Sequence, residues 1–174
     1  MQNKINNLTY IIGISGWSGS GKTTLIEKLI RFFVHDHSLK VCTIKHAHSS
    51  FKIDQKGKDS YKFYEAGASK VIISSSKQWA TINKVEEEEA SLEELLMLVK
   101  KNIDIVIVEG WKFNKINKIE VFRKKIKKPL LCNDYDSFIA VATTSKNLKI
   151  KKNIPILDLN DIKGVGNFIL NYKN

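Results

Sequence analysis

The stretch Gly16-Trp17-Ser18-Gly19-Ser20-Gly21-Lys22-Thr23 satisfies G-x-x-x-x-G-K-[ST], and its surroundings restrict the folds open to the chain. Residues 10–15 before it read as a buried β-strand. Residues 24–33 after it read as a helix. A loop that wraps a phosphate chain must turn backbone N–H groups inward, and glycine permits the torsions this needs. A helix beginning near Gly21 adds its N-terminal dipole to an anion site. Lys22 is spaced to reach the β- and γ-phosphates, and the Thr23 hydroxyl to meet Mg²⁺. The expected nucleotide-binding residues are therefore Gly16, Trp17, Ser18, Gly19, Ser20, Gly21, Lys22, Thr23 and Thr24.

The rest of the chain is compatible with a folded partner for that loop. Its 174 residues, 43% of them hydrophobic, can bury a sizeable core, and the length favours one domain over 1–174 with a polar lead-in at 1–9. The net charge of +11 favours anionic partners such as nucleotides or phosphorylated cofactors. No basic segment interleaved with aromatics is present, so nucleic acid is not an expected partner. Cys42 and Cys132 stand alone in apolar stretches and read as small core residues in a reducing compartment. No signal peptide opens the chain, and no apolar run reaches the roughly 18 residues of a membrane span. A soluble, cytoplasmic protein is expected.

Strand-like runs recur at 39–45, 71–75, 78–82, 105–109, 118–122, 138–142 and 154–158. Ser76-Lys77 suits a tight hairpin between the second and third of these. Residues 61–66 read as a short helix capped by Asp59 or Ser60 and closed by Gly67. Ser91 and Glu94 have capping-box spacing before the apolar stripe Leu92, Leu95, Leu96 and Val99; the acidic run Glu86–Glu89 reads as its solvated approach. Residues 161–172 close as a helix that Gly164 and Gly166 weaken. Strands alternating with helices around this loop predict an α/β P-loop NTPase three-layer sandwich, with a mostly parallel sheet and an antiparallel hairpin portion.

A phosphate loop of this kind works with a second carboxylate that fixes Mg²⁺ or its water shell. Ile105-Val106-Ile107-Val108-Glu109 has the expected form of apolar β-formers followed by an acid. Asp104 lies five residues earlier, about 16 Å away at the other end of the strand. Ligands of open α/β sheets bind outside the carboxyl ends of strands, which selects Glu109 and leaves Asp104 as a strand-start residue. Lys22 and Glu109 are thus the expected catalytic pair, with Thr23 and Glu109 at the metal. Asp54 and Asp59 occupy a polar loop from which either could approach Mg²⁺; Asp59 is the preferred third metal residue. Lys45, His46 and His48 end a strand on the same edge and suit phosphate or pterin contacts better than zinc. His35 and His37 read as solvent-facing residues near a helix end.

The base is not read by an NKxD motif. Asn83-Lys84-Val85-Glu86 and Asn117-Lys118-Ile119-Glu120 are near misses in a chain rich in Asn and Lys, and Thr143-Thr144-Ser145-Lys146 follows a strand end. No glutamine or arginine finger is evident, so fast intrinsic hydrolysis is not implied. An ATP-dependent small-molecule or nucleoside kinase on the same fold is the alternative. Such a kinase generally carries an arginine-rich lid, whereas Arg31 and Arg123 are the only arginines here.

Four blocks in order resemble the MobB family, molybdopterin-guanine dinucleotide biosynthesis protein B. They are Ile14-Ser15-Gly16-Trp17-Ser18-Gly19-Ser20-Gly21-Lys22-Thr23-Thr24-Leu25, then Ile44-Lys45-His46-Ala47-His48, then Gly57-Lys58-Asp59-Ser60 through Glu65-Ala66-Gly67-Ala68, then Val108-Glu109-Gly110-Trp111-Lys112 with Lys118-Ile119-Glu120-Val121. The resemblance spans about residues 10 to 123. The family usually has one more histidine where this chain has Ser49, and often phenylalanine where it has Trp111. The resemblance implies a GTP- and Mg²⁺-binding, weakly GTP-hydrolysing homodimer. Such a protein would assist a MobA-type guanylyltransferase that attaches GMP to molybdopterin, supplying GTP or handing over the pterin.

Overall fold

In the computed structural model, which describes residues 9–47, 54–85, 88–99 and 101–172, the apolar runs pair into two sheets. The larger sheet is built from β1 (Tyr10–Ser15), β2 (Val41–Lys45), β5 (Ile105–Glu109), β6 (Lys118–Phe122), β7 (Phe138–Thr143) and β8 (Ile156–Asp158). Its order is β2-β5-β1-β6-β7-β8, and every neighbouring pair is parallel. The smaller sheet is the antiparallel hairpin of β3 (Lys70–Ser74) and β4 (Trp79–Asn83). Ser75 N–H donates to Gln78 O at 2.8 Å, which closes the turn around Ser76-Lys77 as expected.

The central position of β1 follows from its composition. All its residues after Tyr10 are buried, as are the first four of β5 and of β6. Strands buried on both faces belong in the middle of a parallel sheet. β2, with two exposed residues, lies at the edge.

The period-two residues Ile12, Ile14, Ile105, Ile107, Ile119 and Val121 supply one face. Against it pack Leu25, Ile26 and Leu29 of α1 (Lys22–Arg31), Phe32 and Phe33 of the π-helical turn that continues it, and Val165 and Ile169 of α4 (Ile162–Asn171). The helix α4 forms despite its glycines. Asp161 caps it by accepting from Gly164 N–H at 2.9 Å, and Gly166 is where the Phe32 ring lies against the helix. A Cβ on Gly166 would come within 2.3 Å of that ring. A second cluster gathers Leu130, Leu131, Cys132, Phe138 and Val141. Burial pushes the Cys132 thiol up to about 12, with the Glu120 carboxylate adding to the effect, so it stays a protonated core group.

The described residues form two compact units, one within 1–46 and 95–174, the other within 47–94. The second holds the hairpin and α2 (Asp59–Glu65). The sequence expectation of a side-chain cap on α2 is corrected: the N-cap is Lys58, which makes no side-chain cap bond. Asp59 is instead the first helical residue and pairs with Lys62 at 3.0 Å. Gly67, with φ 107°, follows the helix end as expected. The helix α3 (Leu92–Met97) has the reciprocal box: Ser91 N–H donates to Glu94 Oε2 at 2.8 Å, and Glu94 N–H to Ser91 Oγ at 3.2 Å. Glu86 and Glu87 lie outside the described residues.

Candidate functional site

The parallel sheet brings the carboxyl ends of β1, β2, β5 and β6 to one edge. β1 runs into the phosphate loop there. Gly16, φ 148°, sits so close to β6 that a Cβ would lie 2.4 Å from Val121 O. Gly21, φ 100°, is the N-cap of α1 in the left-handed region. Between them Ser20 N–H donates to Trp17 O at 3.2 Å and tightens the loop. The Ser20 hydroxyl is buried, with no partner among the described residues.

The loop is braced from several sides. Ser15 Oγ donates to Gly110 O at 2.5 Å, joining its start to the turn after β5. The Trp17 indole N–H donates to Pro129 O at 2.7 Å. The Arg123 Nε donates to Ser20 O at 2.9 Å. Two lysines lie over the Trp17 ring, Lys112 Nζ at 4.5 Å and Lys128 Nζ at 5.6 Å from its centroid.

Lys22 bends back along the loop, its Nζ donating to Trp17 O at 3.2 Å. Burial holds its pKa below the usual lysine value; Glu109 works against this, while Lys112 and Lys45 add to it. Thr23 Oγ1 donates to Glu109 Oε1 at 3.3 Å, and Lys45 Nζ lies 3.9 Å from Glu109 Oε2. Thr23, Glu109 and Lys45 therefore meet at one point, next to Lys22. Thr24 is exposed on the first turn of α1.

His46 continues β2, its N–H donating to Glu109 O at 3.0 Å. Its ring meets that of Trp111 with centroids 4.8 Å apart. Gly110 and Trp111 both have positive φ, 96° and 39°, so the chain turns sharply straight after the carboxylate. His48 lies outside the described residues. Asp54 and Asp59 belong to the second unit, where Asp54 Oδ1 accepts from Gln55 N–H and Asp59 pairs with Lys62. Asp104 accepts from Lys40 N–H at 2.7 Å at the start of β5, at the end of the sheet away from the loop. His37 meets Phe32 edge to face, with centroids 4.6 Å apart. No group of three His, Cys, Asp or Glu side chains suited to a metal occurs among the described residues. The Thr23–Glu109 pair fits a different chemistry, that of an ion bound mostly by phosphate and water oxygens.

Three contributors escaped the sequence reading. Lys112 and Arg123 approach the loop from β5 and β6, and Lys118 supports the β5–β6 connection from within. Lys118 is fully buried; its Nζ donates to the carbonyls of Asn114 and Ile116 and lies 5.6 Å from the Phe138 ring centroid. Its stem fills the space above Gly13, where a Cβ would stand 2.3 Å from Lys118 Cγ. A signal for Arg123 was available. An arginine directly after a parallel strand, in a chain that otherwise spends almost all its positive charge as lysine, marks a place where a planar fork is needed.

A family model described as MobB, molybdopterin guanine dinucleotide synthesis protein B, matches residues 11–144. The molybdopterin-guanine dinucleotide biosynthesis adapter protein of Haemophilus influenzae is 37% identical over 169 residues, which cover 97% of this chain and 92% of that one. The protein of the same description from Escherichia coli K12 is 32% identical over 167 residues, covering 93% and 92%. A solved structure of molybdopterin-guanine biosynthesis protein B superposes with a TM-score of 0.71 at 28% identity, over 92% of this chain and 96% of that one. The Bacillus subtilis MobB structure shares the fold, with a TM-score of 0.69 at 22% identity over 92% and 95%. With the family model matching most of its length and two close relatives covering nearly all of it, the chain belongs to the MobB family.

Proposed function

We propose that this chain binds GTP with Mg²⁺ at the phosphate loop and acts as an adapter in making molybdopterin guanine dinucleotide. The carrying observation is the meeting of Thr23 and Glu109 at 3.3 Å beside Lys22, at the mouth of a glycine-cornered loop. Thr23 and Glu109 would hold the metal, which neutralises phosphate charge when bound. Lys22 exchanges the Trp17 carbonyl for a phosphate oxygen. N–H groups at the start of α1 orient the chain of phosphates. Lys45 and His46, on the same edge, are assigned to the phosphate or pterin end with His48 as a further candidate there, and Asp59 is kept as the candidate third metal residue.

The family's involvement with a guanine dinucleotide supports GTP over ATP. The Glu109 side of the loop carries lysines and no arginine, which supports slow hydrolysis and a role as supplier of nucleotide rather than rapid GTPase. The partner on this reading is a MobA-type guanylyltransferase that joins GMP to molybdopterin in the cytoplasm. A homodimer is part of the proposal. Its support is the hairpin unit, where Phe63, Ile72 and Trp79 are 60%, 66% and 60% exposed.

Calorimetric titration of GTP, ATP and CTP with Mg²⁺ tests the reading. GTP is expected to bind and to lose all measurable affinity in Lys22→Ala. Preference for ATP would favour a kinase instead, and equal binding by Lys22→Ala would remove the phosphate loop from the account.

A further inference from the structure

Arg123 is placed unlike the other cations of the chain. Arg31, the only other arginine, is solvent-facing and pairs with Glu27 one helical turn away. Arg123 emerges from β6 half-buried and turns onto the phosphate loop. One edge of the guanidinium is used: Nε donates to Ser20 O across 103 residues of sequence. Its Nη2 atom lies 3.4 Å from the position a Cβ on Gly21 would take, at the first turn of α1. No carboxylate pairs with it among the described residues. The first turn of α1 carries no acid either. Glu109, whose charge acts on Lys22, is already met by Thr23 and Lys45. A half-buried guanidinium with no counter-charge, beside the positive end of a helix, is unfavourable until an anion arrives.

The sheet order says which part of the anion it meets. β5 and β2, which end in Glu109 and Lys45, lie on one side of β1. β6, with Arg123, lies on the other. Thr23 and Glu109 mark the metal side and hence the outer phosphates. Arg123 stands across the loop from them.

We propose that Arg123 is a nucleotide-binding residue whose free guanidinium edge bonds the phosphate nearest the nucleoside, with the Ser20 carbonyl setting its orientation. The inference rests on the phosphate-loop reading above. A guanidinium can hold a carbonyl with one edge and a phosphate with the other; an ammonium on a flexible stem cannot fix both directions.

The test compares wild type, Arg123→Gln and Arg123→Lys by calorimetry with GTP and with GDP, together with thermal unfolding of each protein without nucleotide. The glutamine amide can still donate to Ser20 O but carries no charge. Arg123→Gln is expected to weaken GTP and GDP equally, by about ten- to a hundredfold, the size of one charge-assisted bond. Its nucleotide-free melting temperature should be unchanged or higher, and Arg123→Lys should recover part of the affinity. Unchanged affinity in Arg123→Gln, a loss confined to GTP, or a loss accompanied by a lower nucleotide-free melting temperature would each overturn the proposal. Wild-type protein that binds neither nucleotide would overturn the phosphate-loop reading, and this proposal with it.

Discussion

Glu109 ends a buried strand as an acid, and that change of character is what the site uses. Its two oxygens face different partners, Thr23 on one side and Lys45 on the other. Glu109→Gln keeps the shape and removes the charge. GTP affinity should fall about ten- to a hundredfold with Mg²⁺ present and hardly change without it, as titration in the two buffers would show. An equal loss in both would make Glu109 structural. Lys118 carries a different prediction. Burial pushes its pKa down to about 8, from the ordinary 10.5. Between those values the unfolded chain holds a proton the folded chain has released, so stability rises with pH across that window and the charge burdens the fold below it. The slope from this one group is at most about 1.4 kcal/mol per pH unit, and Lys118→Met should lack it in denaturant titrations at pH 7 and 10. Lys22, Thr23 and Glu109 were legible because each stands at a fixed place in a local pattern. Lys112 and Lys118 were not, and Arg123 left only its place after a strand as a sign, because what makes them matter is a contact with Trp17, Gly13 or Ser20, about a hundred residues earlier in sequence.

At the scale of elements, the buried strands declared themselves through unbroken apolar runs, and β6 has the limits its sequence suggested. The edge strand β2 is shorter than its apolar run: Leu39 N–H donates to Phe33 O, closing off the preceding helix, and the ladder begins at Val41. Which strands neighbour which could not be read, since a parallel sheet joins strands through long connections that leave no local mark. The helix α4 forms where its sequence suggested, and the glycines inside it have a reason that lies in tertiary packing. Gly166 weakens the helix as a helix but admits the Phe32 ring. Gly166→Ala should therefore destabilise the protein by about 1–3 kcal/mol despite alanine's better helix propensity. Phe32→Leu in the same chain should recover part of that loss, a coupling that denaturation of the two single variants and the double variant would measure. Additive effects would mean that the ring and the glycine are independent.

For the whole molecule, the proposed homodimer can be separated from nucleotide binding. Ile72→Lys with Trp79→Ser places charge and polarity on the exposed hairpin residues, which lie outside the phosphate-binding unit. Sedimentation velocity should then report a monomer where wild type gives a dimer, with GTP affinity kept. A dimer that persists would move the interface elsewhere. The sheet order has a further consequence, in time rather than space. β1 is made first, yet both its neighbours, β5 and β6, begin about a hundred residues later. During synthesis the phosphate loop therefore waits beside a strand with no partner. A nascent chain stopped before residue 105 lacks Glu109 and both strands that flank β1. Pairing of this separation makes for slow folding and a long-lived unpaired edge, so the emerging chain is the form most open to chaperones and to aggregation.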